Sequence, residues 1–202
     1  MSVRILSEAD APVVTEILCE AFYDYPVMGW VLADSGTEYD RLLSRMIGYF
    51  VAARVFRGEP LLGVDHDGGL GAAAILSSSD GPPSPPEMAV ERDAVWRDLG
   101  PQALARYEAF GDAFEKLLVS GSHLHLNMIG TRSECRGMGY GGLIMEYVHS
   151  MSEKDPASRG VSLTTEDPAN VPFYERYGYE ITGHARVSPE VETWVFFRPD
   201  SP

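Results

Sequence analysis

The sequence predicts an α/β protein, and three observations point to it. Segments of helical periodicity take turns with short apolar runs of β type along the chain. The stretch from His123 to Tyr179 reads, in order, as strand, glycine-rich turn, helix, strand and helix. The 202 residues, 45% of them hydrophobic, suit one domain, 1–202, with a sizeable core.

A first helix starts near Asp10, with Pro12 tolerated in its first turn. Val13, Val14, Ile17, Leu18, Ala21 and Phe22 then share one face, and Phe22-Tyr-Asp-Tyr-Pro26 ends it. A second helix, about 37–55, carries Tyr39, Leu42, Leu43, Met46, Ile47 and Phe50 on its apolar face. Runs at 61–65 and 70–76 flank His66-Asp-Gly-Gly69, a hairpin signal. The stretch from Ser77 to Pro86 is too proline-rich for helix or inner strand and reads as an insertion. Helical segments follow at about 87–98 and 101–119, separated by Gly100 and Pro101. Later, Tyr140, Leu143, Ile144, Tyr147, Val148 and Met151 recur at intervals of three and four, which is a core face. Strands near 160–165, 179–187 and 191–198 complete the chain; the last alternates weakly, as an edge or pairing strand would.

The turn after the His123 strand carries the chemical signal. Gly137, Gly139, Gly141 and Gly142 follow Arg136. A strand that runs into spaced glycines and then a helix offers several backbone N–H groups to one anion, and the helix N-terminus adds a favourable dipole. A phosphate-bearing cofactor is therefore expected here. A dinucleotide fingerprint would need an acidic residue about 20 residues on, at the end of the next strand. Glu166 and Asp167 lie somewhat too far along, and no Gly-Lys-Ser/Thr is present for a P-loop.

Arg136-Gly-Met-Gly139-Tyr-Gly141 resembles the turn of the GNAT acetyltransferases: Arg or Gln, two residues, Gly, one residue, Gly or Ala. The preceding HLHLNMIGTRSEC resembles that superfamily's fourth strand and pyrophosphate loop, and NVPFYERYGYE resembles its closing motif. The opening VRILSEADAPVVTEILCEAFYDYP and the late ETWVFFR are similar to the puromycin N-acetyltransferase branch. The fifth strand departs from that branch, with Leu163-Thr164-Thr165-Glu166 where a Glu commonly follows the Leu. The resemblance implies a mixed, mostly antiparallel sheet, splayed at the cofactor site, with helices on both faces. It implies an N-acetyltransferase that moves an acetyl group from acetyl-CoA to a primary amine of a small molecule, by direct attack in a ternary complex. Two other functions stay open: acetylation of a protein or peptide, and a catalytically weak CoA-binding sensor.

The resemblance also implies roles for individual residues. Ile129 and Thr131 meet the acetyl and pantetheine groups through their backbone, the arm pairing as a pseudo-strand. Arg136, Gly137, Met138, Gly139, Gly141 and Gly142 hold the pyrophosphate, and Asn170 contacts the pantetheine arm or caps the following helix. Tyr174, in the Phe-Tyr-Glu motif, is either the acid for the departing thiolate or a packed aromatic. His125 shares a strand face with His123 and Asn127, and its side-chain type suits a base near neutrality. It equally suits a residue that only shapes the pocket. Glu166 and Asp24 are the other candidate bases. Phe22, Asp24, Tyr25, His123 and Asn127 are the candidate acceptor contacts, since the first two helices and their link form part of the acceptor pocket in such proteins.

A formal net charge of −14 argues against nucleic acid as a partner and is compatible with a cationic amine. Arg132 and Arg136 flank the turn and could supply the cofactor phosphates with positive charge. No run of about 18 apolar residues exists to span a membrane. The N-terminus lacks an apolar leader. Cys19 and Cys135 are too few for a disulfide framework and suit no metal site, so a reduced, cytoplasmic setting is expected. A homodimer is left open by the resemblance.

Overall fold

In a computed structural model, which describes residues 2–117 and 119–200, seven strands form one sheet. They are β1 (Val3–Ile5), β2 (Leu61–His66), β3 (Gly69–Ser78), β4 (Leu124–Thr131), β5 (Gly160–Thr165), β6 (Glu180–Arg186) and β7 (Glu192–Pro199). Their order is β1-β2-β3-β4-β5-β7-β6, and every pairing is antiparallel except β4 with β5. The helices are α1 (Ala11–Ala21), α2 (Pro26–Val31), α3 (Tyr39–Phe56), α4 (Pro86–Leu99), α5 (Pro101–Glu115), α6 (Tyr140–Lys154) and α7 (Val171–Arg176). The expected fold class is borne out.

The helices cover the two faces separately. Val14, Ile17 and Leu18 of α1, with Leu43, Met46 and Ile47 of α3, pack with Ala73, Ile75 and Met128 on one face. Ile144, Met145 and Val148 of α6 pack with Ala72, Ala74, Leu76 and Leu126 on the other. Both faces of β3 are therefore buried, which is why Leu70–Leu76 reads as a continuous apolar run. Small residues let the layers close: a Cβ on Gly130 would lie 2.6 Å from the Ala21 side chain of α1. No helix among the described residues is long and apolar enough to cross a membrane.

Two boundaries differ from expectation. Pro26 does not only end a helix; it opens α2 at its first turn, where a missing N–H costs nothing. The helix from Pro101 stops at Glu115, where Leu117 N–H turns back onto the Phe114 carbonyl, rather than running to Val119. Residue 118 of that span lies outside the described residues. The last strand, β7, is an inner strand between β5 and β6. Its weak alternation coincides with a register shift between Ile181 and Gly183 of its partner.

Candidate functional site

The sheet parts where β4 and β5 meet. Their pairing covers Leu124, His125 and Leu126 alone, opposite Val161, Ser162 and Leu163. Beyond Leu126 the β5-facing edge of β4 has no strand partner. On the other edge, Ile75 faces Met128 and Leu76 faces Leu126, so Asn127 is the extra residue of a β-bulge. The bulge reverses the inside–outside alternation: Leu126 packs with the α6 layer, whereas Met128 packs with the α1–α3 layer. It bends the strand where the sheet opens.

The glycine turn closes this gap at one end. Gly137 and Gly139 have φ of +79° and +82°, with open space where a Cβ would stand. Only glycine adopts that backbone freely. Leu143 N–H is the first in α6 to donate within the helix, to the Gly139 carbonyl. The amides of Tyr140, Gly141 and Gly142 therefore remain available to an anion at the helix N-terminus. Gly142 has a second role, because a Cβ there would run into the Tyr177 hydroxyl. Beneath the turn, Tyr140 is buried, and its hydroxyl lies 2.8 Å from His66 Nδ1 on the β2–β3 hairpin. Cys135 is fully buried beside them, close under Gly71.

The two flanking arginines behave differently. Arg132 donates to the Leu70 carbonyl and faces Glu16 and Glu20 at 3.6 and 3.7 Å, so its charge is already matched. Arg136 is exposed, lines the cavity and has no ion pair among the described residues. Arg176, its guanidinium 5.8 Å above the Phe173 ring, lines the cavity as well. The cradle fits a pyrophosphate: glycines where φ is positive, free amides and an unmatched cation.

From the turn, a cavity of about 1140 Å3 runs through the split in the sheet to a chamber under α2, α3 and α5. Its walls include Phe22, Tyr25, Phe50, Tyr107, Phe110 and Phe114. Polar groups converge on the end of β5. Glu166 is 6% exposed and accepts a hydrogen bond from Thr193 Oγ1 at 2.7 Å. Its backbone N–H donates to the Tyr25 hydroxyl at 2.9 Å, and that hydroxyl also meets Thr165 Oγ1 at 2.8 Å. Tyr25 thus ties the α1–α2 link to the strand that presents Glu166. Asn170 donates from Nδ2 to Thr165 Oγ1 and makes no side-chain cap on α7.

Burial acts on the two inner titratable groups in opposite directions. Loss of solvent raises the Glu166 carboxyl to about 7, opposed by hydrogen bonds from Thr193 and Tyr25. Loss of solvent, His123 and Arg54 together lower His125 to about 4, so its ring is neutral and weakly basic at physiological pH. His125 Nδ1 lies 2.8 Å from Ser162 Oγ. Tyr174 is buried against Phe173 and Phe196, and burial and Glu166 hold its hydroxyl well above the ordinary tyrosine value.

Most of the expected residues come together in this one cavity: Phe22, Tyr25, His125, Asn127, Ile129, Thr131, Arg136, Gly137, Gly139, Gly141, Gly142, Glu166, Asn170 and Tyr174 all line it. Three do not. Asp24 is exposed on the α1–α2 link, Met138 points outward from the turn at 50% exposure, and His123 is buried with Nδ1 2.7 Å from the Gly121 carbonyl. Arg54 of α3 and the aromatic side chains of α5 line it without having been expected.

A splayed sheet with a bulged strand, an open strand edge and a glycine cradle at a helix N-terminus together build a site for an extended ligand that bears a phosphate. The family described as the acetyltransferase (GNAT) domain matches residues 88–181. Among solved structures, the chain is similar to a histone acetyltransferase HPA2 and related acetyltransferase from Corynebacterium glutamicum, with TM-score 0.70 and 17% identity over 100% of this chain and 97% of that one. It is also similar to the ribosomal-protein-S18-alanine N-acetyltransferase from Escherichia coli, with TM-score 0.59 and 13% identity over 100% and 94%. An agmatine N-acetyltransferase variant matches with TM-score 0.56 and 19% identity over 96% and 98%. Residues 88–181 thus carry the match to the acetyltransferase (GNAT) domain, and the chain as a whole shares the fold of these acetyltransferase structures.

Proposed function

We propose that the protein transfers an acetyl group from acetyl-CoA to a primary amine of a small molecule, by direct attack within a ternary complex. The observation that carries this reading is Glu166, a buried carboxyl inside the cavity whose pKa of about 7 suits a base at neutral pH. In this reading Glu166, not His125, takes the proton. A base with the pKa of about 4 that burial gives His125 would seldom hold an amine proton at neutral pH.

The cofactor supplies an activated thioester. Gly137, Gly139, the free amides of α6 and Arg136 hold its pyrophosphate, and the open edge of β4 at Ile129 and Thr131 pairs with its arm. Asn170 lies beside that arm. The amine nitrogen forms a bond to the thioester carbonyl carbon, and the carbon–sulfur bond breaks. Glu166 accepts the amine proton, and the Tyr174 hydroxyl donates a hydrogen bond to the departing sulfur. Tyr174 is protonated at neutral pH, as an ordinary tyrosine is, and burial raises its pKa further. Positioning of the two reactants supplies much of the acceleration.

The roof of the chamber favours a small acceptor over a peptide. Tyr107, Phe110, Gly111 and Phe114 of α5 cover the end where the acceptor would enter. An extended peptide needs a groove open along its length. The test is thiol release from acetyl-CoA over a panel of primary amines, including puromycin, polyamines and arylalkylamines, beside short peptides. Release with a free amine and not with peptides is expected. Release with peptides alone would overturn the small-molecule reading, and acetyl-CoA binding without release from any acceptor would favour a sensor. Tyr174→Phe is expected to lower kcat about 10- to 100-fold with unchanged affinity for acetyl-CoA.

A further inference from the structure

Arg54 is a cation set into the cavity wall beside the aromatic side chains Phe50, Tyr107, Phe110 and Phe114. Its side chain is 16% exposed. Nη1 lies 3.1 Å from Glu59 Oε2 and 3.4 Å from Asn127 Oδ1, beside the bulge. Nε is sealed from solvent without an acceptor, and no described residue accepts a hydrogen bond from Nη2. Glu59 does not neutralise it alone, because Glu59 also faces Arg57 Nη2 at 3.2 Å. Two guanidinium groups therefore share one carboxylate, and the cluster holds one positive charge in excess. Its field reaches the chamber, since Arg54 is among the causes that lower His125.

A half-buried, incompletely matched arginine in a binding cavity is suited to a carboxylate, whose two oxygens match the guanidinium fork. It is unsuited to a second ammonium. Around it, Phe50 stacks on Tyr107 at a centroid distance of 5.8 Å, and Phe110 and Phe114 complete an apolar wall. We infer that the acceptor is a monoamine bearing a carboxylate on an apolar or aromatic body, of the amino-acid type, with Arg54 binding the carboxylate while the amine faces Glu166. This rests on the acetyltransferase reading above. The same positive charge disfavours the protonated form of a bound amine and so favours the free base that attacks.

The test uses matched pairs that differ only in the carboxylate: L-phenylalanine with phenethylamine and L-tryptophan with tryptamine, and putrescine as a diamine. The wild-type protein is expected to acetylate the amino acid with at least about 10-fold higher kcat/KM than its decarboxylated partner, mostly through KM. Putrescine is expected to be the poorest acceptor. Arg54→Met should bring each ratio to about one or below, and Arg54→Lys should keep part of it. A readout independent of turnover and of any variant is calorimetric binding of N-acetyl-L-phenylalanine and N-acetylphenethylamine to the CoA-loaded wild-type protein, with tighter binding of the carboxylated product expected. Equal or better turnover of phenethylamine or putrescine overturns this inference and leaves the acetyltransferase reading standing. Preferential binding of N-acetyl-L-phenylalanine with no thiol release upholds the anion site and overturns the acetyltransferase reading. Neither release nor binding overturns both.

Discussion

At one end of the cavity the surface is mostly backbone: the open edge of β4, the left-handed glycines at 137 and 139 and the first amides of α6. At the other end it is side chains brought together from α1, α2, α3, α5 and β5. The first end comes from one contiguous stretch, Leu124 to Gly142, and its geometry is set by local rules of strand, turn and helix. The second depends on elements more than a hundred residues apart, as when Tyr25 holds the Glu166 amide. A backbone-built end can recognise a shared group in any relative. A side-chain-built end can be recut for a new acceptor without touching the first. Changes at the two ends should therefore affect different quantities.

The largest effect is expected at the side-chain end. Glu166→Gln should lower kcat/KM by about 100- to 10,000-fold and remove the rise of rate with pH through about 7. Affinity for CoA should not change. The same burial costs stability in a defined window. The carboxyl ionises near 4.5 when unfolded but near 7 when folded, so the folded state is disfavoured progressively as pH rises between those values. Above about 7 the full cost, about 3 kcal/mol, is present. Glu166→Gln should then melt several degrees higher than wild type at pH 8 and about equally at pH 4. Equal melting at pH 8 would mean that Glu166 ionises normally and is no base tuned by burial.

The next effect tests whether the cradle is limited by packing as well as by φ. A Cβ at Gly142 would collide with the Tyr177 hydroxyl. Gly142→Ala is expected to destabilise by about 1–3 kcal/mol, the usual cost of overpacking. Adding Tyr177→Phe, which removes the colliding oxygen, should restore most of it. If the double variant is no more stable than Gly142→Ala alone, the cost does not come from a clash with the Tyr177 oxygen. Gly139→Ala meets no neighbour and bears only the left-handed backbone cost, about 1–2 kcal/mol. Its expected signature is CoA affinity weakened about 10-fold with the pH–rate profile unchanged, read by calorimetry. A shifted pH profile instead would join the two ends that the geometry separates.

This division also explains what could be read in the sequence. The cradle was legible because its signal is local: Arg136-Gly-Met-Gly139-Tyr-Gly141 sits between a strand pattern and a helical stripe. Most elements are legible from periodicity; the exceptions are β1, whose three residues are too short to show a period, and α2, since Pro26 marks a helix stop and a helix start equally well. At the acceptor end, Arg54 did leave a trace. It stands seven residues after Ile47 and four after Phe50, on the apolar stripe of α3, where a charge is out of place. The contribution of α5 left none, because Tyr107, Phe110 and Phe114 look like any core stripe until the fold brings them over β4. The relative standing of His125 and Glu166 could not be read either. Both are ionisable residues near the ends of strands, and only their burial separates a base near 7 from one near 4.

The smallest effect is expected at His125, and it decides between the two bases. Its ring packs against Phe114 with centroids 5.9 Å apart, and Nδ1 is engaged with Ser162. Since burial and Arg54 keep it neutral down to about pH 4, it undergoes no titration between pH 6 and 9. His125→Asn should thus keep the rise of rate through about pH 7 and lower kcat/KM by less than about 10-fold. The shape of the profile matters more than its height. A ring that only shapes the chamber can be replaced with a change in KM for the amine, whereas the acting base cannot be replaced without losing the titration. If His125→Asn abolished that limb while Glu166→Gln kept it, the proton would leave through β4, and Glu166 would be a buried brace, its carboxyl held by Thr193 and its amide by Tyr25.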